Sequence, residues 1–319
     1  MATSELTEKE PTGRPEEIKA VPVRHPGRWI AAVIVLWFAA ALIRTIVSGA
    51  GAKGVPNSGF QWHVVGHYLF SSVILHGVVA TIYLTVLCQL IGVLLGVIAA
   101  VMRLSPNPIV SGASWLYIWF FRGTPIYVQI LFWYNIAALF PTIALGIPFG
   151  PAFVHGSANT IITPLVTALL ALGLNEGAYM AEIVRAGIIS VDEGQTHAAQ
   201  SLGMSRLQIL RLIVLPQAMR VIIPPTGNET ISMLKTTSLL VAASYGELLF
   251  SAQTIYNANY KVIPLLIVAS LWYLLMTSVL YVGQYFIERR FGRGFSRTQN
   301  ATMRERWLSF GGGRERGAT

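Results

Sequence analysis

Charged residues are scarce in this chain of 319 residues: Asp, Glu, Lys and Arg make up 12% of it, against 54% hydrophobic residues. Soluble domains carry about 25% charged residues, so this chain has too few charges for a large water-facing surface. Several apolar runs instead reach the roughly 20 residues that are needed to cross the hydrocarbon core of a bilayer. The composition therefore excludes a soluble globular domain and predicts a multi-pass membrane protein.

The chain also lacks the residue clusters that other kinds of site need. Its one cysteine, Cys88, lies in an apolar run and has no partner for a disulfide. The histidines His63, His67 and His76 are scattered, without the carboxylates or cysteines of a metal site. None of the five lysines stands in a GxxxxGK[ST] loop, so we expect no bound cofactor and no ATP phosphates cradled by this chain.

Positive charge is concentrated at the end of the chain. The net charge is +9, and eight arginines follow Gln284. A basic segment directly after an apolar run is typical of the positive-inside bias, and it can attract anionic membrane lipid. We therefore interpret residues 289–319 as a basic cytoplasmic tail and expect no nucleic-acid partner. Residues 1–28, polar and rich in Glu and Pro, predict a disordered cytoplasmic leader.

The apolar runs predict an all-α integral membrane protein with about six transmembrane helices. Their expected limits are Trp29–Ser48, Val73–Met102, Trp115–Phe140, Ile161–Val184, Val221–Ser244 and Val262–Ile287. Residues 29–72 would then hold one N-terminal helix and an outer segment. The uncharged segment 141–160, rich in Pro, Gly and small residues, predicts a packed loop over the outer mouth.

The Lys and Arg residues of the loops indicate the orientation. The basic segments contain Lys19, Arg24, Arg28, Arg103, Arg185, Arg206, Arg211 and Arg220. The segments 49–72, 141–160 and 245–261 hold only Lys53 and Lys261. Six crossings of a cell membrane with both termini in the cytoplasm satisfy this pattern. The segment 190–216 would then be cytoplasmic.

Segment 190–216 is a polar unit between apolar runs. Ser190 and Glu193 have the S-x-x-E spacing of a capping box, which predicts a helix from Val191 to near Leu202. Gly203 can take the left-handed conformation that ends it. Ser205 and Gln208 predict a second capping box, and we expect the second helix to stop at Pro216.

This helix–turn–helix unit has two interpretations. Small side chains on the first helix would let it lie deep in the groove of a partner protein, whereas a plain amphipathic connector on the membrane surface is also common. A DNA-reading helix–turn–helix is excluded, because the second helix is apolar and leads straight into a span. We favour a docking role.

Five short motifs resemble one family of transport proteins. The segment HAAQSLG followed by LIVLPQA resembles the EAA loop of ABC importer permeases. The others are FFRGTP at Phe120–Pro125, Gly194-Gln195, Gly227-Asn228-Glu229 and Lys235-Thr236-Thr237-Ser238-Leu239, which look like the polar amino-acid uptake branch. The resemblance implies that the last five helices form a type I permease core over residues 73–288.

The resemblance also implies partners and site residues. In that family the EAA helix docks into a separate ATPase subunit, which holds ATP and Mg. Carried over, His197, Ala198, Ala199 and Gly203 would form the ATPase-coupling contact, although His197 stands where the family usually has Glu. Two further departures are Trp119, often Glu, and Thr236, often Asp. A second permease subunit (sibling or self) and an extracytoplasmic amino-acid-binding protein are implied as well.

Polar residues at membrane depth are costly and therefore indicate function. Glu229 and Lys235 are six residues apart, hence on different helix faces, so each needs another neighbour. From this pair we predict that spans four and five line a translocation path. The candidate residues of the path are Glu176, Asn228, Glu229, Lys235, Thr237 and Ser238. The alternative is polar contacts between helices without a transport role. Glu182 and Arg185 are expected to form a local pair.

An ATP-driven importer subunit for polar amino acids is the leading hypothesis, and it has two rivals. An ion- or proton-coupled secondary transporter would also use Glu229 and Lys235, but it would leave the polar unit 190–216 without a purpose. A membrane-embedded enzyme would need clustered catalytic groups that the sequence lacks. Arginine, glutamine, glutamate and histidine all stay open as substrates.

Overall fold

The computed structural model describes residues 26–48, 60–147 and 152–291. The chain divides into two units after Phe60. The first contributes one helix, α1 (Pro26–Ser48), which is apolar around its whole circumference, as expected of a membrane span. Most of the predicted leader and tail, residues 1–25 and 292–319, lies outside the described residues.

The second unit is almost entirely helical. It begins with α2 (Trp62–Leu69), α3 (Ser72–Arg103), α4 (Pro108–Gly123) and α5 (Ile126–Tyr134). Asn107 caps α4 by accepting a hydrogen bond from the backbone of Ile109 at 2.9 Å. The prediction of one continuous span over Trp115–Phe140 was wrong, because Thr124 is extended and Pro125 starts a new helix.

A β-hairpin follows where the sequence predicted a packed loop. Strands β1 (Thr142–Gly146) and β2 (Ala152–Ser157) pair antiparallel, with Thr142 opposite Ser157, and the register shifts at Leu145/Gly146. Its β-branched and aromatic residues favour strands, and this outweighed the loop-forming Gly and Pro residues. Residues 148–151 between the strands lie outside the described part of the chain.

The next helices contain two π-helical turns. Helices α6 (Ala158–Ile161) and α7 (Pro164–Ala168) precede a π turn at Leu169–Gly173 and then α8 (Leu174–Ile189). The polar unit contains α9 (Glu193–Ser201) and α10 (Arg206–Ile209). A second π turn, Leu210–Val214, leads into α11 (Leu215–Thr236) and a 3₁₀ segment, Thr237–Ala243. Helices α12 (Leu248–Asn259) and α13 (Val262–Phe291) complete the described chain.

The helix through segment 206–216 does not stop at Pro216, so that prediction was wrong. Pro216 falls in the first turn of α11, where the α-helical ladder does not need its missing N–H. The π turn before it shifts the backbone pairing, and the Gln217 side chain donates to the carbonyl of Ile213 at 3.0 Å. The helix therefore runs from the polar unit into the apolar bundle.

The bundle packs most closely where α3 meets α8. A Cβ atom at Gly92 would overlap the side chain of Glu176, and one at Gly96 would overlap Met180. The GxxxG pair of α3 is therefore the contact surface for α8, which lets the two backbones approach. This contact holds Glu176 at a fixed depth in the bundle.

Three helical stretches of the described chain are long and apolar enough to cross a membrane by length and composition. They are Ser72–Arg103, Arg206–Ala243 and Val262–Phe291. The all-α membrane architecture that the sequence predicted is confirmed. The count of six spans is not confirmed, because the third predicted span is divided at Thr124–Pro125.

Candidate functional site

An open polar cavity of about 560 Å³ lies where the break between α4 and α5 faces α8 and α11. We call it the central cavity. Its lining consists of Arg122, Gly123, Thr124, Pro125, Ile126, Leu172, Asn175, Glu176, Tyr179, Glu229, Ser232, Met233 and Thr236.

The helix break contributes backbone polarity to the central cavity. The break leaves carbonyl groups without the backbone partner that a continuous helix would give them, and at membrane depth such groups need another donor. The Gln129 side chain donates to the carbonyls of Phe121 at 3.0 Å and Thr124 at 3.2 Å. Asn175 on α8 also donates to the carbonyl of Phe121, at 2.7 Å. Side chains from α5 and α8 thus stabilise the broken segment beside Arg122.

Two carboxylates and one guanidinium carry the charge of the central cavity. Glu176 is buried, and its Oε1 accepts a hydrogen bond from Gln89 Nε2 at 3.1 Å. Glu229, on α11, is only partly buried. The guanidinium of Arg122 lies over the ring of Tyr179, 5.1 Å from its centroid, in cation–π geometry.

Neither carboxylate forms a salt bridge with a described residue; the salt bridge nearby joins Glu182 to Arg185 at 2.7 Å. That local pair confirms the expected Glu182–Arg185 contact. With Glu176, Glu229 and Arg122 ionised, the central cavity carries one more negative than positive charge. It therefore suits a ligand that has cationic groups and one carboxylate.

The structure brings two of the six predicted path residues, Glu176 and Glu229, into the central cavity. The other four do not line it. Asn228 accepts a hydrogen bond from Gln284 Nε2 on α13 at 2.9 Å, and Lys235 is exposed. The hydroxyls of Thr237 and Ser238 donate to backbone carbonyls of their own helix. Asn228, Thr237 and Ser238 thus form contacts within and between helices, and a place for these four residues on a translocation path stays a prediction.

Sequence reasoning missed several residues of the central cavity. Arg122 lies within the apolar run Trp115–Phe140, and the cost of a charge at that depth could have identified it. Asn175, Tyr179 and Ser232 gave no signal of their own, because single polar residues are common on helices. Thr236 drew attention only as a departure from a family motif.

The polar unit forms a helix–turn–helix, with one correction at its start. Helix α9 is capped by Asp192, whose side chain accepts from the backbone of Gly194 at 2.7 Å. Ser190 instead donates to the carbonyl of Gly187, so the predicted Ser190–Glu193 capping box was wrong. The box of Ser205 and Gln208 is confirmed.

The turn between α9 and α10 depends on Gly203, whose φ of 77° is left-handed as predicted. Its neighbours Leu202 and Leu207 are 81% and 72% exposed, so the tip of the unit is apolar. His197 and Ala198 are exposed as well.

Ala199 is buried against Ile209 and Val214, in a cluster that reaches the second π turn. Of the four predicted contact residues, Ala199 therefore faces the inside of the unit. Its role is to join α9 to the helix that continues into α11.

The sequence over residues 92–293 matches the family described as the binding-protein-dependent transport system inner membrane component. The chain belongs to this family. The permease is 47% identical over 292 residues to the arginine transport system permease protein ArgU of Corynebacterium glutamicum, which covers 91% of this chain and 88% of that protein. It is 37% identical over 204 residues to the histidine/lysine/arginine/ornithine transport system permease protein HisM of Salmonella typhimurium, covering 64% and 83% of the two.

Solved structures show the same fold. A chain from an amino acid ABC transporter crystallised with histidines aligns with a TM-score of 0.59 and 34% identity, covering 72% of the permease and 98% of that chain. A chain of the MetNI methionine ABC transporter aligns with a TM-score of 0.54 at 16% identity, which shows the fold alone. The predicted fold class, an ABC importer permease core, is thereby confirmed, and family membership argues against the secondary-transporter alternative.

Proposed function

We propose that the permease is the membrane-spanning subunit of an ATP-driven importer for cationic amino acids. The observation that carries this proposal is the charge of the central cavity, in which Glu176 and Glu229 face the single cation Arg122. A cationic side chain and an α-ammonium would pair with the carboxylates, and the α-carboxylate would pair with the guanidinium. An acidic amino acid would bring a second carboxylate to a site that already contains two carboxyl groups and one guanidinium.

The relatives support this choice among the substrates that the sequence left open. ArgU is named for arginine, and HisM for histidine, lysine, arginine and ornithine. These side chains are cationic or become so on protonation, which matches two carboxylates in one cavity. Arginine and histidine are therefore favoured over glutamine and glutamate.

The polar unit 190–216 is the proposed docking site for a separate ATPase subunit, which would hold ATP and Mg. Its exposed apolar tip at Leu202 and Leu207 supports this role, since an exposed apolar patch on a polar unit is typical of an interaction surface. Movement of α9 would pass through the buried contact of Ala199 with Val214 into α11, which carries Glu229. The conformations of the polar unit and of the central cavity would thus change together.

The proposed complex has two further protein components and a defined orientation in the membrane. A second permease subunit, either a copy or a sibling, would enclose the path, and an extracytoplasmic binding protein would deliver the amino acid. The basic loops support an orientation with both termini in the cytoplasm. Residues 73–288 would form the transmembrane domain, with α1 as an additional N-terminal span.

Uptake into proteoliposomes tests the proposed function. The permease would be reconstituted with its ATPase, its second permease subunit and its binding protein, and radiolabelled arginine and glutamate would be compared with and without ATP. We expect ATP-dependent uptake of arginine and at least about tenfold less uptake of glutamate, a ratio that corresponds to about 1.4 kcal/mol of selectivity. Arginine uptake that persists without the ATPase would contradict the proposal and favour an ion-coupled transporter.

A further inference from the structure

A second polar cavity, of about 530 Å³, adjoins the central cavity. We call it the lower cavity. The two share Arg122, Gly123 and Tyr179 in their linings. The lower cavity extends to Arg103, the last residue of α3, and to Arg185, in the last part of α8. Because α8 leads directly to the polar unit 190–216, this cavity lies at that end of the bundle.

The lower cavity has an excess of positive charge. Three guanidinium groups, those of Arg103, Arg122 and Arg185, surround one carboxylate, that of Glu182. Arg185 and Glu182 neutralise each other through a salt bridge at 2.7 Å. The count of three positive charges and one negative charge leaves the cavity with a formal charge of +2, opposite in sign to the central cavity.

Two of these guanidinium groups are held in place without a carboxylate partner among the described residues. Arg103 donates from Nη1 to the hydroxyl of Ser111 at 2.8 Å, and that hydroxyl donates back to the carbonyl of Arg103 at 3.1 Å. Arg122 lies over the ring of Tyr179, which orients it without neutralising its charge. Planar guanidinium groups with unused donors are well suited to bind carboxylate or phosphate oxygens.

We infer that Arg103 and Arg122 form a second binding site, specific for the α-carboxylate of the amino acid as it leaves the central cavity. This inference rests on the proposed function. Arg122 lines both cavities, so a carboxylate bound to it in the central cavity is already next to the lower one. The cationic end of the amino acid stays with Glu176 and Glu229 while the carboxylate passes to Arg103. The amino acid therefore leaves with its carboxylate first.

The lower cavity contains its own spectroscopic probe. Trp115 and Trp119 line it with their rings stacked, 6.0 Å between centroids and 16° between planes. A ligand that binds beside this pair changes its fluorescence emission. Replacing Trp119 with Phe removes the stack, so the signal that belongs to this site is the part that is lost in Trp119→Phe.

The test is a titration of the permease–ATPase complex in nanodiscs of neutral lipid. The two probes are arginine and agmatine, which is arginine without its carboxylate. We expect arginine to change the emission of the Trp pair and agmatine to leave it unchanged. Arg103→Gln is expected to weaken the arginine response at least about tenfold, since hydrogen bonds between charged groups are strong. The matched variant Arg220→Gln, an exposed arginine on α11 outside both cavities, is expected to respond like the wild type.

Equal responses to arginine and agmatine, or an unchanged response in Arg103→Gln, would overturn the inference. A second arm adds anionic lipid, because a headgroup phosphate offers the same oxygens. If that lipid alone produces the Arg103-dependent signal and abolishes the arginine response, the site binds lipid phosphate and the carboxylate assignment is wrong. The inference and the proposed function fail separately: loss of arginine selectivity in uptake refutes the function, whereas normal uptake with no Arg103-dependent signal refutes only the second site.

Discussion

Replacing Glu229 with glutamine is expected to reduce the affinity of the permease for arginine during ATP-driven uptake by about ten- to a hundredfold. Glutamine has the same shape but no charge, so the change removes the attraction for a cationic group and leaves the packing of α11 intact. Hydrogen bonds to charged groups contribute about 1.5–3 kcal/mol, and every 1.4 kcal/mol is tenfold in affinity. The measurement is the arginine concentration for half-maximal uptake in proteoliposomes.

Two controls show whether the loss comes from charge. Citrulline has nearly the shape of arginine but a neutral side chain, so Glu229→Gln should change its uptake much less. The second control is Glu229→Asp, which keeps the negative charge and should therefore retain more of the affinity for arginine than Glu229→Gln does. Equal losses for arginine and citrulline would show that Glu229 is a structural residue.

Replacing Gly203 with valine is expected to uncouple ATP hydrolysis from uptake. The φ of 77° at Gly203 is unfavourable for any residue with a Cβ, and most of all for a β-branched one. The strain of about 1–3 kcal/mol would open the turn between α9 and α10 and move the apolar tip at Leu202 and Leu207. The spans should still insert, since Gly203 is exposed and a Cβ there meets no neighbour.

The measurement compares substrate-stimulated ATPase activity with uptake in the same proteoliposomes. Gly203→Asn is the matched control, because asparagine tolerates the left-handed conformation better than other non-glycine residues. Valine should abolish most uptake while asparagine retains it. Normal coupled uptake by Gly203→Val would contradict the role of the turn in docking.

The sequence predicted the shape of the polar unit because its determinants are local. The capping box at Ser205 and Gln208 and the glycine at 203 act within four residues of the chain, so their pattern could be recognised directly. The local pattern left two candidates for the residue that caps α9. Ser190 and Asp192 are both good caps, and Asp192 takes this role because its backbone is non-helical, as an N-cap requires, whereas Ser190 keeps the helical backbone of the end of α8.

The central cavity could be predicted only in part. Glu176 and Glu229 were recognisable as costly charges at membrane depth. Arg122 offered the same signal within Trp115–Phe140, but its place in the cavity depends on the break at Thr124–Pro125, which side chains of α5 and α8 stabilise. The continuation of the helix past Pro216 likewise depends on a π turn whose backbone bonds no sequence pattern specified. At the helix break, a contact from the distant Asn175 outweighed the local signal.

Accessibility of the central cavity to a thiol reagent tests the account most directly. The only native cysteine, Cys88, is buried, so a single cysteine introduced by Ser232→Cys in the cavity reports on that position. Thr254→Cys, exposed on α12 outside the cavity, serves as the control. If the central cavity binds cationic amino acids, arginine slows labelling of Ser232→Cys but not of Thr254→Cys, and glutamate slows neither. Labelling of Ser232→Cys at the same rate with arginine, glutamate or no amino acid would contradict the account.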